Sequence, residues 1–169
     1  MPVPIAQMDR VDGLRHPPLH ENMGSDMTQY RGPALALIRV PNERSVYWQA
    51  RQQFSTLGDE LARLADLKDG WDSYRAAAPS PASIATAERI LKLLRSAMLP
   101  PSRIVPSAEG GIGICFIDAD RYADIEIFND QEILAMAYRG RSDPCVWEVN
   151  SDTESITEAI RQIRAHFDA

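Results

Sequence analysis

The chain has 169 residues, a formal charge of −6, and apolar and charged fractions of 44% and 25%. That length holds one domain with a real core and leaves sequence over at an end. An acidic chain without a Lys/Arg run is a poor fit to free nucleic acid, whose affinity comes largely from neutralised phosphates. No apolar run reaches the length of a membrane span. An acidic surface suits solubility, or docking onto a basic protein.

Residues 1–41 show no sustained hydrophobic period and carry Pro2, Pro4, Pro17 and Pro18. They read as a flexible N-terminal segment ahead of a single domain at 42–169. Within the segment, Leu35–Val40 is apolar enough to add an edge strand, which Pro41 ends. The N-terminus lacks the basic and apolar regions of a signal peptide, so the expected location is cytoplasmic. Cys115 and Cys145 are too few for a disulfide scaffold and lack zinc spacing. Both fall in expected strands and read as free, buried thiols.

The first helix is expected from Asn42, with Asn42 or Ser45 as cap, to about Leu67. Phe54, Leu57, Leu61, Leu64 and Leu67 recur at three- and four-residue steps and form one stripe. Gly70 supplies the stop. Ser80 is a natural N-cap for a second helix, with Pro81 at its first position. Ile84, Ala87, Ile90, Leu91, Leu94 and Met98 make its stripe, and Leu99-Pro100-Pro101 ends it.

The period then changes to two. A short strand is expected at Ile104-Val105, and longer ones at Gly111–Ile117, Tyr122–Phe128, Glu132–Tyr138 and Cys145–Val149, joined by polar turns. Ser151-Asp152-Thr153-Glu154 has the form of a capping box for a last helix with Ile156, Ile160, Ile163 and Phe167 inside. The fold class is α+β. Two N-terminal helices precede an antiparallel meander of four or five strands, and a C-terminal helix packs on one sheet face. The other face is expected to be polar.

The stretch Leu67–Pro81 organises the rest. It closes one helix, places Trp71 and Tyr74 on a polar loop and opens the next helix. Two readings compete. Trp71, Asp72, Tyr74 and Arg75 could form a partner-binding surface, since aromatics on a turn supply large contact area at small entropy cost. Alternatively, Trp71 and Tyr74 fold back over the seam between helix and sheet, while Asp69 and Asp72 bond loop N–H groups.

Gly70-Trp71-Asp72-Ser73-Tyr74, then Ala78-Pro79-Ser80-Pro81, then Pro106-Ser107 and Gly110-Gly111-Ile112, resemble a pattern in small bacterial proteins of unassigned function. There a GWDGYGA…PSP loop joins two helices, and a Pro-Ser…DGGI segment leads into a β-meander. The resemblance covers roughly residues 55–140. It implies a bacterial origin and the domain boundary, and no chemistry. Ser73 and Arg75 stand where that pattern has glycines, which predicts a different loop backbone.

Asp118, Asp120, Asp124 and Glu126 lie on one expected hairpin. Asp118, Asp124 and Glu126 on a shared face would hold Mg²⁺ or Mn²⁺ for a hydrolase or nuclease. Against this, Asp118 and Asp120 flank a turn where such residues belong, and Phe128 stands where a restriction-like nuclease needs lysine. Gly110-Gly111-Ile112-Gly113 precedes a strand, unlike a phosphate-binding loop, and more simply marks a close backbone approach. His16, His20 and His166 make no triad, and no nucleophile elbow is present. A third reading is a small-ligand sensor with a pocket near Trp71, Phe116 and Trp147. The reading adopted is a non-catalytic protein-binding or accessory module, antitoxin-like or self-associating. It needs no cofactor, and its partner is another protein or a second copy.

Overall fold

The computed structural model describes residues 43–169, all inside the compact unit Val40–Ala169. The N-terminal segment, its Leu35–Val40 strand, Asn42, His16 and His20 lie outside the described residues.

The order is α1 (Glu43–Leu64), α2 (Pro81–Ser96), β1 (Arg103–Pro106), β2 (Gly111–Asp118), β3 (Arg121–Phe128), β4 (Ile133–Arg139), β5 (Cys145–Glu148) and α3 (Thr153–Asp168). The five strands form one antiparallel sheet in sequence order, so the α+β meander is the five-stranded one. Alternation then fixes which side chains share a face. Ile104, Ile114, Ile125, Ala135 and Trp147 stand in one row across the sheet. They face the helices with Ile112, Phe116 and Ile127, and meet Phe54, Leu57 and Leu61 of α1, Ile90 and Leu94 of α2, and Ile156, Ile160 and Ile163 of α3.

The helix ends follow local chemistry. α1 stops at Leu64 rather than Leu67, because the chain tightens into i→i−3 bonds, Asp66 N–H to Arg63 O and Leu67 N–H to Leu64 O, both 3.2 Å. Ser80 caps α2 as expected, accepting Ser83 N–H at 3.1 Å, with Pro81 in the first turn. The far end differs. Met98 is not in the stripe but sits past the helix at φ 51°, 44% exposed. Its N–H reaches Arg95 O at 3.1 Å and the Leu99 N–H reaches Leu94 O at 3.0 Å, a Schellman closure without the usual glycine. At α3 the cap is Asp152, one residue later than the capping box predicts. Asp152 Oδ1 accepts Ser155 N–H at 2.9 Å, and Ser155 Oγ accepts Asn150 N–H at 2.9 Å.

Arg121 ties the end of α3 to the sheet, donating to Phe167 O at 2.5 Å and His166 O at 3.2 Å. That places a cation at the negative end of the helix. Arg164 donates to Ala97 O and so joins α3 to the end of α2.

Two expectations are corrected here. Cys145 is exposed; only Cys115 is a buried thiol. Cys145 opens a four-residue edge strand, which among the described residues has a neighbouring strand, β4, on one side only. The face away from the helices is also not simply polar. Its rows run Arg103, Cys115, Asp124, Met136, Val146 and Val105, Gly113, Glu126, Leu134, Glu148.

Candidate functional site

The loop between α1 and α2 is built on its own side chains. Asp72 Oδ1 accepts Tyr74 N–H at 2.8 Å and Ala76 N–H at 3.0 Å, and Asp69 Oδ1 accepts Ala78 N–H at 2.9 Å. The Gly70 N–H closes the loop onto Ala76 O at 2.8 Å. These are the aspartate-to-backbone bonds that turns favour. The Ala76 N–H, more than the Tyr74 N–H, holds the Asp72 carboxyl below the ordinary aspartate range, against a smaller opposing effect of burial.

Ser73 and Arg75 have φ of 67° and 74°. The backbone therefore adopts, without glycine, the left-handed conformation in which a side chain is disfavoured by about 1–2 kcal/mol. Asp72 and Asp69, through their bonds to Tyr74, Ala76 and Ala78 N–H, hold the backbone in these turns.

Trp71 and Tyr74 take different places. Trp71 is half-buried, its Nε1 3.4 Å from Ala77 O. Tyr74 does not fold back over the helix–sheet seam: it is 88% exposed, with Arg75 exposed beside it. A bulky ring so fully in water gains nothing for the fold.

Asn129, in the turn between β3 and β4, fixes the loop's exit. Asn129 Oδ1 accepts Ser80 N–H at 2.7 Å and Ser83 Oγ–H at 3.1 Å, and Asn129 Nδ2 donates to Ala78 O at 2.9 Å. Asn129 is seated against Gly110, where a Cβ would lie 2.9 Å from its Nδ2. At Gly111, φ 131°, a Cβ would lie 2.1 Å from Ile127 O. Gly110-Gly111 is therefore a close-approach pair. The two sequence segments singled out, 67–81 and 106–112, meet through Asn129.

The outer sheet face holds a second cluster. The Tyr122 hydroxyl lies 2.9 Å from Asp124 Oδ2 and 3.6 Å from Cys115 Sγ. With one proton, it donates to the carboxylate, the stronger acceptor. The Tyr122 and Tyr138 rings stack at 5.0 Å. Ser107 Oγ donates to Glu126 Oε1 at 2.5 Å. Burial first, then the charge of Glu126, pushes the Asp124 carboxyl above its ordinary value, while the Tyr122 bond works the other way. Burial, with the Cys115 and Asp124 contacts, pushes the Tyr122 phenol up, so it stays protonated.

The carboxylate triad does not assemble. Asp124 and Glu126 share the outer face, whereas Asp118 stands opposite Arg121, in the alternation of the helix-facing rows. Among the described residues no three His, Cys, Asp or Glu side chains are grouped to hold a metal ion. Asp120 is paired with Arg139 at 3.1 Å, a hydrogen bond that lowers its pKa. His166 Nε2 lies 3.1 Å from Tyr138 O. Phe116 is packed in the core against Phe167, with ring centroids 6.4 Å apart. Grooves lie instead along α1 and α2, beside Phe54, Gly58, Leu61 and Arg95, and between Ala65, Pro79 and Ile84. Among the described helices none is long and apolar enough to cross a membrane.

No protein-family model matches this chain, and no curated protein and no solved structure matches it either.

Proposed function

We propose that the chain is a non-catalytic protein-binding module whose contact loop is Trp71–Arg75. The observation that carries this reading is Tyr74, 88% exposed on a loop fixed by Asp72 and held left-handed at Ser73 and Arg75. Strain kept at an exposed aromatic tip is characteristic of recognition sites, and such a ring meets a partner with little entropy left to lose. The sheet edges support it less: β1 and β5 have four residues each, little to offer an added strand. The partner is another protein or a second copy. An antitoxin-like accessory role in a bacterium belongs to the same proposal, supported by the acidic charge of −6, which suits a basic partner.

The test replaces Tyr74 with a photo-crosslinking phenylalanine analogue in the full chain and measures the molecular mass in solution by light scattering. Crosslinks at position 74 that disappear in Arg75→Ala, with the melting temperature unchanged, support the reading. If Tyr74→Ala leaves the mass unchanged and Arg75→Ala leaves the crosslinks from position 74 unchanged, the loop is not a contact surface.

A further inference from the structure

The outer face of the sheet is a surface that the described helices leave uncovered. No described helix packs on it; the buried stripes of α1, α2 and α3 all meet the opposite rows. Yet it carries Ile117, 47% exposed, and Val146, 53% exposed, with Leu134 and Met136 half-buried between. An apolar sheet face of this kind marks an interaction surface. In its middle lie Asp124 and Glu126, two positions apart on β3 and so about 7 Å from each other.

Each carboxylate gives one oxygen to a neighbouring hydroxyl: Asp124 Oδ2 to Tyr122 and Glu126 Oε1 to Ser107. Asp124 Oδ1 and Glu126 Oε2 accept no hydrogen bond from the described residues. The stacked Tyr122 and Tyr138 rings stand beside Asp124, which the Tyr122 hydroxyl meets. The charged residues of these rows are Asp124, Glu126 and Glu148 against Arg103, which lies on edge strand β1. The face is therefore apolar around a negative centre that has aromatic walls.

We infer that this face docks a segment of a partner protein that carries a basic side chain between apolar residues, the basic group lying over Asp124 and Glu126. Charge complementarity selects this occupant. A guanidinium would donate to the two free oxygens, lie against the tyrosine rings beside Asp124 and neutralise two like charges that repel each other. A second copy packed face to face would set acidic centre against acidic centre. The inference does not depend on the Tyr74 loop and survives that loop's failure.

The test uses the isotope-labelled full chain and three synthetic hexapeptides, Gly-Leu-X-Leu-Val-Gly with blocked ends, where X is arginine, citrulline or glutamate. Backbone amide shifts are followed by NMR. The arginine peptide is expected to move the amides of Cys115, Asp124, Glu126 and Met136, to bind about tenfold more tightly than the citrulline peptide, and to weaken with added salt. The glutamate peptide should not bind. The double variant Asp124→Asn, Glu126→Gln should bind the arginine and citrulline peptides alike. Should that variant fail to fold, the peptide comparison on the unaltered chain decides alone. Equal binding of arginine and citrulline peptides, shifts confined to another surface, or no binding overturns the inference. So does self-association through these rows that strengthens in the double variant, since it identifies a second copy as the occupant.

Discussion

Asn129 holds Ser80 across 49 residues of chain, its Oδ1 2.7 Å from the Ser80 N–H. The same side chain takes the Ser83 hydroxyl and gives to Ala78 O, so one amide satisfies the exit of the loop and the first turn of α2. Ser83 is fully buried, and its hydroxyl also has Ser80 O at 2.9 Å to turn to, so the groups left without a partner are the Ser80 N–H and Ala78 O. Asn129→Ala should cost about 2–4 kcal/mol, from three lost bonds and the polar groups left without partners. Urea unfolding measures it. Asn129→Asp keeps the acceptor but sets a carboxylate against Ala78 O, and should recover only part of the loss.

Met98 offers a gain. It occupies the left-handed closing position of α2 at φ 51°, where glycine is the usual residue. Met98→Gly should stabilise the fold by on the order of 0.5–1 kcal/mol, the relief of strain exceeding the added freedom of the unfolded chain. Met98→Ala keeps the strain and should not stabilise. Thermal unfolding of the two variants side by side separates backbone relief from loss of the side chain.

Asp124 predicts a pH dependence. Its folded pKa is raised, by burial first and then by Glu126. The folded state therefore holds this proton more tightly than the unfolded state, and that contribution is complete below the unfolded pKa. It is lost as the pH rises through the raised folded value. Asp124→Asn removes the charge and keeps an acceptor for Tyr122. The variant should melt higher than the parent at pH 7, and the difference should vanish at pH values below the ordinary aspartate range. A melting series across acid pH reads both.

Asp72 has the opposite sign. Its carboxyl is held low, chiefly by the Ala76 N–H. The loop bonds it makes are intact above the unfolded pKa and are lost as the pH falls through the depressed folded value. The amide resonances of Tyr74 and Ala76 should move together in that acid range, below the range where Asp124 titrates. Asp72→Ala should abolish this step and speed exchange of both amides at neutral pH, while the core amides of β3 remain protected.

Much of the fold was legible because period and caps speak locally. Ser80-Pro81, the stripe of α1 and the alternation through β2–β4 each announce an element without help from the rest of the chain. The misses lie where a contact from far along the chain decides. Asn129 reads as a turn residue until Gly110 and Ser80 come beside it. Met98 continues the helical period, so nothing local shows that it has left the helix. At the loop, Ser73 and Arg75 hid the left-handed turns because they are not glycines, and the two aspartates that enforce those turns were visible beside them. The outer face read as polar because Asp124 and Glu126 alternate correctly. The apolar residues that surround them come from other strands, and register alone brings those together.

The dependence of the loop on Asn129 also sets an order of events during synthesis. A nascent chain that has delivered Tyr74 to the outside of the ribosome still lacks the residue that clamps Ala78 and Ser80. Until the β2–β3 hairpin has emerged and closed, the loop has its own aspartate bonds but its exit into α2 is unclamped. The clamp on Ala78 and Ser80 is thus closed only after the hairpin that brings Asn129 has formed.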